Sequence, residues 1–380
     1  MSSYRQLLDN LAAGGNLRRL PDDAPAGLVD LSSNDYLGIG ANEALMEHFL
    51  SHASGRERLL TSAASRLLAA VQTPYHALEQ RLAALTGTAR AVLFNSGYHA
   101  NSGLLPALAT AGTHIVADRL VHASIIDGMR LAGVPFARAR HNDAAHLERL
   151  TRRALDAGAT RVIIVVESVY SMDGDRAPLE EIIDIKERAG SDRVMIYVDE
   201  AHAFGVLGPQ GLGLVAASPR RAMVDVIIGT FGKALASMGA FAAFADADVA
   251  EWAVNSARSL IFSTALPPVN VAWTAAALEH SLGMDAERRH LARLGKILAE
   301  GVADITGNAV EPSHIVPIIV GDAARAVALS RQLAECGFKV LPIRTPTVPP
   351  GTERLRVSLS AALAEEDITR FLSTLNDLIK

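Results

Sequence analysis

From Tyr75 to Gly239 the chain alternates short runs of consecutive apolar residues with stretches whose apolar positions recur at helical spacing. Ala91–Phe94, His114–Ala117, Arg161–Glu167, Val194–Val198 and Asp225–Ile228 predict strands; Ala77–Leu85, Ser102–Ala109, Ser124–Leu131 and Leu179–Ala189 predict helices. The strand runs are apolar on successive residues, so both of their faces are buried. Strands alternating with helices then predict an α/β fold, a mostly parallel central sheet covered by helices.

The rhythm changes after about Ser281. Ile315–Val320, a helix from Ala323 to Cys336, Lys339–Ile343 and Arg354–Leu359 predict a small α+β C-terminal domain. A last helix carries Ile368, Phe371, Leu372, Leu375 and Leu378 on one face, as packing requires. At the other end an N-terminal helix leads through a Pro/Asp/Gly-rich connection into the turn-rich Ser32–Gly38. The expected division is an N-terminal segment over residues 1–40, a large domain over 41–280 and a small domain over 281–380.

Composition narrows the function. Of 380 residues, 49% are hydrophobic and 20% charged, enough apolar surface for a substantial core. The net charge is −5 with no basic stripe, which argues against a nucleic-acid partner. A single cysteine, Cys336, excludes an internal disulfide and a cysteine metal cluster, and no metal is expected. The first twenty residues lack the apolar core of a signal peptide, and runs such as Val162–Val166 are far too short to span a bilayer. The expectation is a cytoplasmic chain with no membrane partner.

Ligands of open parallel sheets sit beyond the carboxyl ends of the strands. The five predicted strands are followed by Asn95–Asn101, Asp118–Ser124, Ser168–Asp175, Asp199–His202 and Gly229–Lys233, each polar, titratable or glycine-rich. Five such loops in succession read as one site. Lys233 lies among small uncharged residues, Thr230-Phe231-Gly232-Lys233-Ala234-Leu235-Ala236-Ser237, where an amine sheds its proton readily and can form a Schiff base. A lysine capping a strand end is the equally weighted alternative. Ser96-Gly97-Tyr98 reads as an ordinary helix start or as a phosphate cradle of backbone N–H groups. His122 alone reads best as a strand-end histidine, and Asp173-Gly174-Asp175 as a turn rather than a calcium loop. His76 and His99 have no evident partner in the sequence.

Asp199-Glu200-Ala201-His202 spells the acidic box of DEAH-type ATPases. That reading needs a G-x-x-x-x-G-K-[ST] loop before it. Here Gly232-Lys233 follows the box, is succeeded by Ala234, and has Ile227 where the first glycine belongs. It stays a remote alternative.

The whole set of segments resembles the α-oxoamine synthases, pyridoxal-phosphate enzymes of fold type I. It comprises Ser33–Gly38, Asn95–Tyr98, His122-Ala123-Ser124, Ser171–Asp175, Asp199–His202, Thr230–Lys233 and Arg354-Leu355-Arg356, in family order from about residue 30 to 360. His141-Asn142-Asp143 and Ile343–Thr352 are similar to the family member that condenses L-alanine with a pimeloyl thioester, carried on coenzyme A or on an acyl carrier protein. A sister enzyme using glycine or serine with another acyl-CoA is the nearer alternative.

The resemblance implies pyridoxal 5′-phosphate as cofactor and assigns roles. Lys233 carries the cofactor and acts as base; Asp199 pairs with its pyridine nitrogen; His122 stacks on its ring; His202 and Ser171 reach its phenolic oxygen. Gly97, Tyr98 and Thr230 hold the phosphate, and Ser263 and Thr264 reach the phosphate of a neighbouring subunit, implying a homodimer with shared sites. Arg356 clamps the substrate carboxylate, with Arg18, His122 and Thr347 also on substrate. The sequence departs from the pattern at Ala70, Ala236 and Ala240, where the family often has glycine, and each adds a methyl where the backbone approaches a ligand, which bears on acyl-chain and loop geometry rather than on the cofactor.

Overall fold

The computed structural model describes residues 3–20 and 27–379; the predicted Pro/Asp/Gly-rich connection lies largely outside the described residues. The strands in chain order are β1 (Val29–Asp30), β2 (Arg90–Phe94), β3 (Thr113–Asp118), β4 (Phe136–Ala139), β5 (Arg161–Glu167), β6 (Val194–Asp199), β7 (Val226–Thr230), β8 (Ala240–Phe244), β9 (Ile315–Ile319), β10 (Phe338–Lys339), β11 (Leu341–Ile343) and β12 (Arg354–Ser358). The chain divides into two compact units. The larger holds Leu37–Tyr170 and Arg176–Asp285; the smaller holds the described residues up to Tyr36, Ser171–Asp175, and those from Ala286 onward.

The larger unit is built on a seven-stranded sheet in the order β2-β8-β7-β6-β5-β3-β4. All its strands run one way except β8, which is antiparallel to both neighbours, β2 and β7. In β5 the residues Val162, Ile163, Ile164 and Val165 are all fully buried, as consecutive apolar residues in a doubly covered strand must be. Each such isoleucine contributes about 2 kcal/mol by leaving water. The predicted strand Arg161–Glu167 and helix Leu179–Ala189 have the expected bounds. The helix after β2 begins earlier than expected and spans Gly97–Leu108, with Ser96 as N-cap accepting from the His99 N–H at 3.2 Å. That N-cap Oγ also lies 2.8 Å from His99 Nδ1, giving His99 the partner the sequence did not show. The neighbouring helix Ala123–Ala132 approaches closely: a β-carbon on Gly128 would stand 2.6 Å from the Asn101 carbonyl oxygen.

The smaller unit carries a three-stranded antiparallel sheet, β11-β12-β9, and a short parallel pair, β1-β10. The single strand expected over Lys339–Ile343 is therefore two strands in different sheets. The final helix, Glu365–Ile379, buries Ile368, Phe371 and Leu375. The helix Ser3–Ala13 buries no residue.

Among the described residues no helix is long and apolar enough to cross a membrane, and no group of three or more metal-ligating side chains converges.

Candidate active site

In the larger unit the parallel strands all end at one rim, and the predicted residues follow from there. Lys233 comes three residues after β7; its Nζ lies 3.4 Å from Thr230 Oγ1, and Thr230, the last residue of β7, is buried. Lys186 is buried as well, but it is held by Asp225 at 2.6 Å and the Met223 carbonyl at 2.9 Å, so its role is structural. The turn that presents Lys233 is unusual. Ala236 has φ 44°, its N–H donates to the Lys233 carbonyl at 2.8 Å, and its own carbonyl accepts from Trp273 Nε1 at 3.2 Å.

Asp199 ends β6 and is 4% exposed. Its Oδ1 accepts from the Ala201 N–H at 2.9 Å and its Oδ2 from Asn101 Nδ2 at 2.8 Å. Both carboxylate oxygens are thus occupied by donors. Beside it in register, ending β5, stands Glu167, also buried. Burial first, and then the Asp199 charge, push the Glu167 carboxyl well above the usual carboxylate range. Glu167 Oε1 accepts the His122 N–H at 2.5 Å and so anchors the histidine's backbone.

His122 is the N-cap of Ala123–Ala132, and its Nδ1 accepts from the Ser124 N–H at 3.2 Å. Burial lowers its pKa; the Asp199 charge opposes that, and the Lys233 charge reinforces it. These mutual effects put His122, Asp199, Glu167 and Lys233 in one electrostatic cluster. His202, three residues beyond Asp199, is buried.

Gly97 and Tyr98 open the helix after β2, where first-turn N–H groups have no acceptor within the helix. A β-carbon on Gly97 would meet Thr230 Cγ2 at 2.7 Å, so only glycine lets this helix start approach the end of β7. Tyr98 itself is half exposed and donates its hydroxyl to Asp127 at 2.6 Å. Ser263 Oγ and the Thr264 carbonyl both accept from Asn95 Nδ2, at 3.1 and 2.6 Å. The Thr264 side chain is exposed.

The remaining predicted residues belong to the smaller unit. Arg356, in the central strand β12, is 4% exposed, yet among the described residues every acceptor around its guanidinium is neutral. They are the Ser171 carbonyl (2.5 Å), Asn34 Oδ1 (3.2 Å, twice), Ser358 Oγ (2.6 Å) and the Tyr36 hydroxyl (3.4 Å). Burial pushes the Tyr36 phenol up to about 12, with Arg356 acting the other way, so that acceptor stays neutral too. A buried cation without an anion is costly and suits a carboxylate ligand. Two residues along the strand, Arg354 pairs with Asp173. A β-carbon on Gly174, at φ 72°, would stand 2.0 Å from the Ile315 carbonyl, so the 171–175 turn needs its glycine. Arg18 and Thr347, far apart in sequence, meet: Arg18 Nη2 donates to Thr347 Oγ1 at 3.1 Å, both residues being exposed.

Of the three alanines that stand where the family often has glycine, one carries an unusual backbone conformation. Ala70 and Ala240 lie outside the left-handed region, and Ala240 opens β8; the positive φ needed at that turn belongs to Gly239, at 110°. Ala236 alone occupies a conformation that favours glycine. The sequence reading missed Asn101, which stands deep in the helix 97–108 and contacts Asp199, Ser124 and Tyr197. It missed Glu167 as well. For Glu167 the available signal was a carboxylate closing an apolar strand; Asn101, beside Tyr98, His99 and Ser102 in its helix, gave none.

The donor set suits an anionic aromatic aldehyde: free helix N–H groups and a hydroxyl for a phosphate, a buried carboxylate for a ring nitrogen, and an amine for the aldehyde. The Aminotransferase class I and II family profile matches residues 26–375. An 8-amino-7-oxononanoate synthase of Haemophilus ducreyi is 44% identical, over 99% of this chain and 100% of that one. One of Chlorobaculum parvum is 46% identical, over 92% and 89%. The solved serine palmitoyltransferase of S. paucimobilis, which holds a pyridoxal phosphate–myriocin aldimine, is 26% identical over 99% of this chain and 96% of that one, with a TM-score of 0.88. Similarity of this extent removes the DEAH-type ATPase reading: the chain belongs to the class I and II aminotransferase family, in the branch of the 8-amino-7-oxononanoate synthases.

Proposed function

We propose that this chain uses pyridoxal 5′-phosphate to condense L-alanine with a pimeloyl thioester, giving 8-amino-7-oxononanoate, carbon dioxide and free thiol for biotin biosynthesis. The relatives' names support the product. The observation that carries the residue assignment is the placement of Asp199, His122 and Lys233 at strand ends on one rim of the sheet, with buried Asp199 tied to His122 through Asn101 and Ser124.

The cofactor supplies an electron-withdrawing ring that accepts the electrons of a broken Cα–H bond. Buried Asp199 would face the ring nitrogen and keep a proton on it. His122 would pack against the ring and exclude water from it. His202 and Ser171 hydrogen-bond the phenolic oxygen. The N–H groups of Gly97 and Tyr98 and the Thr230 hydroxyl bind the phosphate, while Ser263 and Thr264 serve the phosphate of a second subunit in a homodimer. Lys233 would hold the cofactor through its amine and would be the base that accepts the substrate's α-proton. Arg356 grips the amino-acid carboxylate, and Arg18 with Thr347 contacts the acyl substrate.

Selection of alanine over glycine rests on one methyl group, worth roughly 1–3 kcal/mol in a fitted cavity. Borohydride reduction of the pyridoxal-phosphate-loaded protein followed by peptide mass mapping tests the assignment. The label is expected on Lys233; a label on another lysine, or none, overturns it.

A further inference from the structure

We infer that Asn101 is a positioning residue that ties Asp199 to His122 and fixes which nitrogen of the histidine carries its proton. The inference rests on the proposed function of the site and goes one layer beyond it.

Asn101 is 1% exposed, and its side-chain amide is fully used. Its Oδ1 accepts the Tyr197 hydroxyl at 2.7 Å. Its Nδ2 donates one hydrogen to Asp199 Oδ2 at 2.8 Å and the other to Ser124 Oγ at 2.9 Å. An ionised carboxylate only accepts, so the amide nitrogen must face Asp199 and the orientation of Asn101 is determined. Ser124, fully buried, receives a hydrogen from Asn101, and because His122 Nδ1 accepts the Ser124 N–H and has no hydrogen to give, the Ser124 hydroxyl donates to that Nδ1, 2.7 Å away. A nitrogen accepting two hydrogens carries none, so neutral His122 holds its proton on Nε2.

The chain of bonds runs from Tyr197 through Asn101 to Asp199 on one branch and through Ser124 to His122 on the other. Every member but His122 is at most 4% exposed, where unmatched polar atoms are expensive. The contact of helices 97–108 and 123–132 at Gly128 sets the reach of Asn101 to Ser124. The charged and titratable groups acting on His122 are Asp199, Lys233 and Asp127, with Glu167 on its backbone N–H.

The test is imidazole NMR on histidine-labelled, cofactor-free protein, with the His122 signal assigned by loss in His122→Gln. Wild type should show the Nε2–H form at neutral pH. Asn101→Ala and Ser124→Ala each remove support from Nδ1, so His122 should lose that single form and titrate at higher pH. Ser124→Ala, which deletes only one oxygen, keeps the test meaningful if Asn101→Ala folds poorly. Cofactor affinity, followed by fluorescence, should fall roughly tenfold in Asn101→Ala, the worth of one hydrogen bond to a charged group. An Nδ1–H form in wild type, or an unchanged His122 signal in both variants, overturns the inference. Failure of wild type to bind pyridoxal phosphate would instead overturn the function of the site, and the histidine signals tell the two apart.

Discussion

Gly97 and Thr230 meet where the first helical turn after β2 approaches the end of β7: a β-carbon on the glycine would lie 2.7 Å from the threonine methyl. Threonine is branched at Cβ and buried here, so its methyl has little freedom to move. Gly97→Ala should therefore displace either the Thr230 hydroxyl or the helix start, at a cost of about 1–3 kcal/mol. Fluorescence titration with pyridoxal phosphate should read this as roughly a tenfold or larger weakening. Thr230→Ser in the same chain deletes the offending methyl and keeps the hydroxyl, so the double variant should recover most of the affinity. A double variant as weak as Gly97→Ala would show that the contact is not the cause.

Ala236, at φ 44°, holds the turn that presents Lys233. A β-carbon in the left-handed region costs roughly 1–2 kcal/mol, partly offset by the extra freedom that glycine gives the unfolded chain. Ala236→Gly should raise stability by about 0.5–1 kcal/mol, measured as a higher denaturation midpoint in urea. A lower midpoint would mean that the alanine methyl makes a packing contact that outweighs its strain.

Glu200 lies between the site residues Asp199 and His202 in sequence, but its carboxyl serves a loop. Oε1 accepts from the N–H groups of Leu214 and Val215 at 2.7 and 3.1 Å. Burial raises its pKa from 4.5 to about 7, opposed by those two N–H groups. The folded state thus holds this proton more tightly than the unfolded one. The associated stability is present below about pH 4.5 and is lost as pH rises to about 7. Glu200→Gln mimics the protonated form and should match wild type near pH 4.5 but exceed it above pH 7, by up to about 3 kcal/mol. Urea midpoints at the two ends of that range decide it; a constant difference across pH would contradict the assignment.

Much of the larger unit was legible because its strands are apolar on consecutive residues. Arg161–Glu167 is recognisable from Val162-Ile163-Ile164-Val165-Val166 alone. The strand β8 was not, since Ala240-Phe241-Ala242-Ala243-Phe244 carries no β-branched residue and owes its conformation to pairing with β7 and β2. The break between Lys339 and Leu341 was equally hidden, because partners distant in sequence assign the two halves to different sheets. In the site, residues at strand ends could be read in order. Asn101 could not, because its work depends on a helix crossing that brings it to residues up to 98 positions away.

The measurement that bears most directly on the proposed reaction is thiol release by cofactor-loaded protein, with L-alanine, glycine or L-serine offered separately against pimeloyl-CoA and against pimeloyl-acyl carrier protein. Release with L-alanine on at least one thioester, with glycine and serine much slower, is the predicted result. Release with glycine or serine in place of alanine, or none with alanine on either thioester, would contradict it.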